Sequence, residues 1–203
     1  MKTNYKFQIP HFRRKTLFVS LILSLVAYCS LLTVSAQRRD HLTLMEVELV
    51  RDAQQIDLRT QIFVKAIDRR LMVLKNHSSQ AKQIENDSDK WGELPTGTRA
   101  QLLIDIEKLL EESISKVDDA ASRDMKSKLL PVAVNFLADG ANRFVPELKS
   151  QLDRSTDEKE KGAILGALEY CTQIIEASAK VPKLSAKEIK KIQKEYEKSL
   201  PSN

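Results

Sequence analysis

Apolar residues recur every three or four positions along most of the chain, which is the spacing of one face of an α-helix. The first stripe predicts a single helix over residues 44–75, roughly 48 Å long at 1.5 Å per residue. Its start is marked by Thr43 and Glu46, which have the spacing of a capping box. Arg69 and Arg70 fall near its carboxyl end, where the helix dipole favours cations.

Residues 76–97 follow without a sustained apolar period and contain two glycines and a proline, so they are predicted to form a loop. Thr98 and Gln101 repeat the capping spacing and open a second helix. A third helix is predicted to begin near Pro131 and to bend at Pro146, because an internal proline removes one backbone hydrogen bond.

Two more capping boxes predict a fourth helix and a short fifth one, at Ser155 with Glu158 and at Ser185 with Glu188. No segment alternates apolar and polar residues with the period of a strand. The predicted fold is therefore all-α, an antiparallel bundle of four long helices plus a short C-terminal helix, because mostly short connections make consecutive helices antiparallel neighbours.

The first 36 residues have the order of a secretory signal peptide. Basic residues without any acid precede an apolar run at 17–32, and small side chains precede Ala36. We expect cleavage between Ala36 and Gln37, which leaves residues 37–203 as one helical domain in the periplasm or outside the cell. The alternative is an uncleaved anchor over residues 17–36, because about 20 apolar residues span a bilayer.

Removal of the signal peptide would change both the net charge and the number of cysteines. The chain has 33 basic and 28 acidic residues, and five of the basic ones precede Gln37, so the mature chain would carry 28 of each sign. A neutral chain with few aromatic residues gives no support for nucleic-acid binding. Cys171 would be its only cysteine, which excludes an intrachain disulfide and suits a buried thiol on the core stripe.

The residues that commonly form catalytic sites are few. His41 and His77 are the only histidines after the signal peptide, and neither belongs to a metal, haem or nucleophile motif. We therefore predict no catalytic residue, no metal ligand and no cofactor, and expect that the protein is not an enzyme. Carboxylates such as Asp105 and Glu112 are interpreted as parts of solvated helix faces.

Two aromatic residues are candidates for partner contact. The first predicted helix is longer than the others, so either it bends or Phe63 and its neighbours pair with a second copy or with another exported protein. Trp91 stands in a polar loop and either covers one end of the bundle or contacts a partner. Gly162 and Gly166 indicate close approach of a neighbouring helix, because the segment around them is too polar for a membrane.

The C-terminal segment has three more basic than acidic residues between positions 183 and 198, together with an apolar stripe. Such a segment can lie on an anionic membrane surface. The more ordinary arrangement docks the stripe on the bundle and leaves the lysines in solvent.

Three blocks, residues 41–74, 129–149 and 156–180, resemble a group of uncharacterised exported bacterial proteins that are predicted to be helical. The resemblance implies a bacterial, exported, helical protein and no site residues. Together these observations favour a non-catalytic role in protein interaction, as a scaffold, an adaptor or a chaperone-like binder. An extracytoplasmic small-molecule sensor or carrier, and a membrane-anchored accessory subunit, are the alternatives.

Overall fold

A computed structural model describes residues 40–75 and 90–199, and this part of the chain contains six helices and no strand. Ala36, Gln37, His77 and most of the predicted loop lie outside it. None of the described helices is both long enough and apolar enough to cross a bilayer. The helices are α1 (Leu44–Asp52), α2 (Ile56–Lys75), α3 (Arg99–Arg123), α4 (Leu129–Asp153), α5 (Glu158–Ser178) and α6 (Ala186–Ser199).

The prediction of one helix over residues 44–75 is wrong, because the chain leaves the helical conformation at Ala53 and α1 folds back on α2. The carbonyl of Ala53 accepts hydrogen bonds from Nε and Nη2 of Arg59, at 3.1 and 2.8 Å. These side-chain donors stabilise the break. The reversal brings the first turn of α1 beside the last turns of α2, where Glu46 meets Arg70.

Three of the four predicted capping boxes are confirmed, because in each the first residue accepts from the backbone of the fourth and the fourth accepts from the backbone of the first. They are Thr43 with Glu46, Thr98 with Gln101 and Ser185 with Glu188.

The prediction of a capping box at Ser155 and Glu158 is wrong. Asp157 caps α5 instead, and its Oδ1 accepts from the amides of Lys159 and Glu160 at 2.9 and 3.0 Å. Ser155 is buried and donates its hydroxyl to the carbonyl of Gln151 at 3.0 Å. An aspartate cap also places a negative charge at the positive end of the helix dipole, which stabilises the helix further.

The long helices pack in pairs, and α2 lies beside both α3 and α4, as α5 does. Paired side chains show that α2 and α4 run in the same direction, because Asp68 pairs with Arg143 and, further along both helices, Lys75 pairs with Glu147. The two helices are not consecutive in the chain, because α3 lies between them.

The core lies among α2, α3, α4 and α5, and each of these helices contributes fully buried side chains. Phe63 and Cys171 both belong to it, and neither has any exposed surface. Burial raises the pKa of the Cys171 thiol to about 12, so the thiol stays protonated and behaves as a small apolar group. The helix α4 begins at Leu129, before the predicted start, and continues through Pro146.

Candidate functional site

A buried ion cluster joins α1, α2 and α3. Arg70 of α2 is 1% exposed and Glu46 of α1 is 0% exposed. The two nitrogens Nη1 and Nη2 of Arg70 lie 3.1 and 2.8 Å from the two carboxylate oxygens of Glu46. Asp105 of α3 is also buried, with Oδ2 3.8 Å from Nε of Arg70. The buried guanidinium thus lies between two carboxylates on different helices.

Further contacts hold this arginine in one position. Its Nη1 donates to the carbonyl of Ala66 at 2.7 Å, and its Nη2 donates to the carbonyl of His41. Glu46 also accepts from the amide of Thr43 at 2.9 Å, so one carboxylate both caps α1 and binds Arg70. The cluster therefore fixes where α1 begins and where it lies on α2.

Arg69, the neighbouring residue, attaches the segment before α3 to the same end of α2. Its guanidinium donates to the carbonyls of Trp91, at 2.6 Å, and of Gly92 and Glu93. It also lies 5.5 Å from the centre of the Trp91 ring, within the range of a cation–π contact. Trp91 is buried, in the position of a cover on this end of the fold.

Gly92 follows with φ at +63°, a conformation that favours glycine. A Cβ atom at this position would lie 2.7 Å from Cγ of Met45. The first turn of α1 therefore packs directly on the Trp91–Gly92 backbone, and a larger residue at position 92 would displace it.

His41 attaches the residues before α1 to α3. Its Nε2 lies 2.7 Å from a carboxylate oxygen of Glu112. The hydrogen bond with His41 lowers the pKa of Glu112, which outweighs the opposing effect of its burial. Glu112 thus holds the residues before α1 against α3, where the sequence pattern predicted a solvated face.

The prediction that Asp105 belongs to a solvated face is also wrong, because its carboxylate is buried beside the guanidinium of Arg70. The position of Asp105 in the sequence already indicated that it is buried. It lies three residues after Leu102 and four before Leu109, on the core stripe of α3. Arg70 occupies the same kind of position, three residues after Ile67. A cation and an acid that both interrupt apolar stripes predict a buried pair.

The chemistry of the ion cluster suits a structural contact between helices. Its acids are bound to arginine, which has no accessible neutral form to exchange protons with them. No group of three or more histidine, cysteine, aspartate or glutamate residues that could bind a metal ion occurs within residues 40–75 and 90–199.

A polar cleft of about 350 Å³ lies between α2 and α4. Two ion pairs cross it: Arg143 lies 3.1 Å from Asp68, and Lys75 lies 2.6 Å from Glu147. Burial raises the pKa of Asp68, although Arg143 acts in the opposite direction. Within each pair, the acidic and the basic group contact one another. The two pairs therefore do not form an open acid–base pair.

A smaller and more apolar pocket, of about 190 Å³, lies where the ends of α3 and α5 meet the start of α4. Asp118 and Gln173 are the polar residues that line it, and both are exposed. The apolar lining residues are Ile114, Val117, Val134, Leu137, Ile174 and Ala177.

The structure places neither aromatic candidate for partner contact on the surface. Phe63 is fully buried among α2, α3 and α4, and Trp91 is covered by Arg69. Two other apolar residues are exposed at the first turn of α1: Leu44 at 88% and Met45 at 42%. Met45 fits the apolar stripe of the long helix that the sequence predicts, whereas Leu44 only marks the start of that helix, so neither stood out as an exposed residue.

Comparison of the chain with protein-family models, with curated proteins and with solved structures finds no significant match.

Proposed function

We propose that this protein works by protein contact, as an exported, non-catalytic helical scaffold, adaptor or chaperone-like binder. The observation that carries the proposal is the exposed apolar surface at the start of α1, formed by Leu44 and Met45 and called here the α1 tip. Burial of a leucine side chain contributes about 1.5–3 kcal/mol, so an exposed leucine forgoes that stabilisation unless a partner covers it.

The α1 tip is held rigidly. Glu46, the next residue, is bound by the buried guanidinium of Arg70, and Met45 packs on Gly92. A surface whose conformation is fixed before binding loses less entropy when a partner docks. The ion cluster thus contributes to binding by holding the two apolar side chains in place.

The proposal includes the architecture and the compartment. The pairwise packing of α2, α3, α4 and α5 around one core supports a four-helix bundle with α1 and α6 attached to it. The signal-peptide pattern ending at Ala36 supports export, with Gln37 as the first residue of a periplasmic or extracellular protein. The partners are then other exported proteins or a second copy of the chain. An uncleaved segment 17–36 would make the same bundle an accessory subunit of a membrane complex.

Site-specific photocrosslinking in the native host tests the α1 tip. A photoreactive benzoylphenylalanine replaces Leu44 in one variant and Leu165, a leucine of α5 that is 55% exposed, in the control. We expect a discrete crosslinked product, either a dimer or a defined heterocomplex, from position 44 and none from position 165. Equal crosslinking from both positions, or none from position 44, would contradict the proposal.

A small-molecule carrier is the second candidate, and the apolar pocket between α3, α4 and α5 favours it. Its volume of about 190 Å³ is close to that of apolar cavities that hold a benzene-sized molecule. The test compares the native mass of the protein with its denatured mass. A non-covalent small molecule that is lost on denaturation, and that Leu137→Phe excludes, would support this candidate over protein contact.

A further inference from the structure

Helix α6 has two opposite faces. Its apolar residues Ile189, Ile192 and Tyr196 are half-buried. At 3.6 residues per turn, five lysines fall within an arc of roughly 100° centred opposite that stripe. All five are exposed, and they form what is called here the lysine face: Lys187, Lys190, Lys191, Lys194 and Lys198.

Specific contacts hold α6 in the orientation that turns the lysine face outward. Nε2 of Gln193, beside the apolar stripe, donates to Oδ2 of Asp57 at 2.6 Å. Asp57 is fully buried at the start of α2, so this contact anchors the inner side of α6. At the approach to α6, the amide of Leu184 donates to Oδ1 of Asn135 at 3.3 Å.

Two of the acidic residues of α6 are engaged at its edges. Glu188 accepts from the amide and the hydroxyl of Ser185 at the start of the helix. Glu195 lies 3.7 Å from Lys128 and 3.9 Å from Lys191. The positive charge of the lysine face is therefore concentrated on one side of the helix and is only partly compensated within it.

We propose that the lysine face of α6 docks on an anionic membrane surface while the apolar stripe stays on the bundle. The face contains no aromatic residue and no arginine, the residue types that are enriched at protein interfaces. Lysine amines are compact and strongly hydrated charges, and they bind anionic lipid headgroups by non-specific electrostatic attraction. The amines extend for roughly 17 Å along the helix, which suits a broad surface of repeated charges.

Vesicle binding of the full chain measures this contact. Each lysine near an anionic bilayer contributes roughly fivefold to the affinity, so Lys187→Gln with Lys190→Gln and Lys194→Gln weakens the anionic-lipid-dependent binding about a hundredfold. The matched control makes the same change in charge at exposed lysines on other elements: Lys126→Gln, Lys149→Gln and Lys159→Gln. Binding is compared between vesicles containing phosphatidylglycerol and vesicles of phosphatidylcholine alone, which removes the contribution of residues 17–36.

Equal loss in the two triple variants would overturn the proposal, because it would show that net charge alone is responsible. Circular dichroism of both variants establishes that they are folded.

Amine acetylation followed by mass spectrometry measures the contact independently, in the protein without substitutions. Anionic vesicles should protect Lys187, Lys190 and Lys194 from acetylation, and leave Lys126 and Lys149 as reactive as they are with neutral vesicles. Unchanged labelling of α6, or stronger protection by soluble polyphosphate than by anionic vesicles, would contradict membrane docking.

Discussion

Replacement of Arg70 by methionine tests the role of the ion cluster in stability. Methionine is similar in length and apolar, so the variant removes the charge and its hydrogen bonds while it fills much of the same space. Glu46 then loses both hydrogen bonds from the guanidinium of Arg70 and keeps the more distant Nε of Arg69, 3.7 Å from its Oε1. Asp105 loses the positive charge of Arg70, whose Nε lies 3.8 Å from its Oδ2. A buried ion pair is costly to disrupt on one side only, because the remaining charge has lost both its water and its partner.

The expected loss is about 3–5 kcal/mol in the free energy of unfolding, the range for removal of one partner of a buried pair. For a domain of this size, about 1 kcal/mol corresponds to roughly 2–4 °C in the unfolding temperature, so the melting temperature should fall by roughly 6–20 °C. The control is Arg143→Met, which removes the partly exposed pair with Asp68. It should cost no more than about 1 kcal/mol.

Urea unfolding followed by circular dichroism measures both variants, and a double-mutant cycle with Glu46→Gln isolates the pair. Glutamine keeps an acceptor for the amide of Thr43, so capping of α1 is retained. The free energy of unfolding that the double variant loses should be smaller than the sum of the two single losses, by at least about 2 kcal/mol. Additivity of the two losses, or a loss from Arg70→Met no larger than that from Arg143→Met, would show that the buried ion pair does not stabilise the fold.

Glu112, Cys171 and the signal-peptide pattern can each be tested separately. The pKa of Glu112 is lowered by its hydrogen bond with His41, so the stability it contributes is present above the ordinary glutamate pKa and is lost as the pH falls through the lowered value. Glu112→Gln should therefore reduce the acid-side fall in melting temperature, while Glu176→Gln at an exposed position should not. Cys171, with its pKa raised to about 12 by burial, should resist iodoacetamide in the folded protein and react in urea; rapid native alkylation at pH 8 would contradict its burial. N-terminal sequencing of the protein from its native host should give Gln37, and recovery of only a membrane-bound species that retains residues 17–36 would favour the anchor.

The helices could be predicted from the sequence because each element carries local signals. Thr98 with Gln101 marks the start of α3 in the sequence, and the structure contains both hydrogen bonds of that box. Local signals did not reveal the break after α1, since Ala53 is compatible with a helix. Arg59 and the Glu46–Arg70 pair stabilise the break, and both are contacts between segments on its two sides.

The ion cluster was missed because charged residues were assigned to the surface by type. Lysine, arginine and acidic residues are rarely buried unless they are paired, and pairing across helices is not visible in a single stripe. The exposure of Met45 was missed for the converse reason, because an apolar residue in a helical stripe is expected to face the core. Both errors concern which face of α1 and α2 is buried, which depends on how the helices pack.

The native mass of the complex isolated from the exporting host shows whether the protein acts by protein contact through the α1 tip. We expect the chain without substitutions to be recovered with a second polypeptide or a second copy. Leu44→Asp should abolish this association, and Leu165→Asp should leave it intact. Recovery of the chain without substitutions alone, or with only a bound small molecule, would contradict protein contact through the α1 tip.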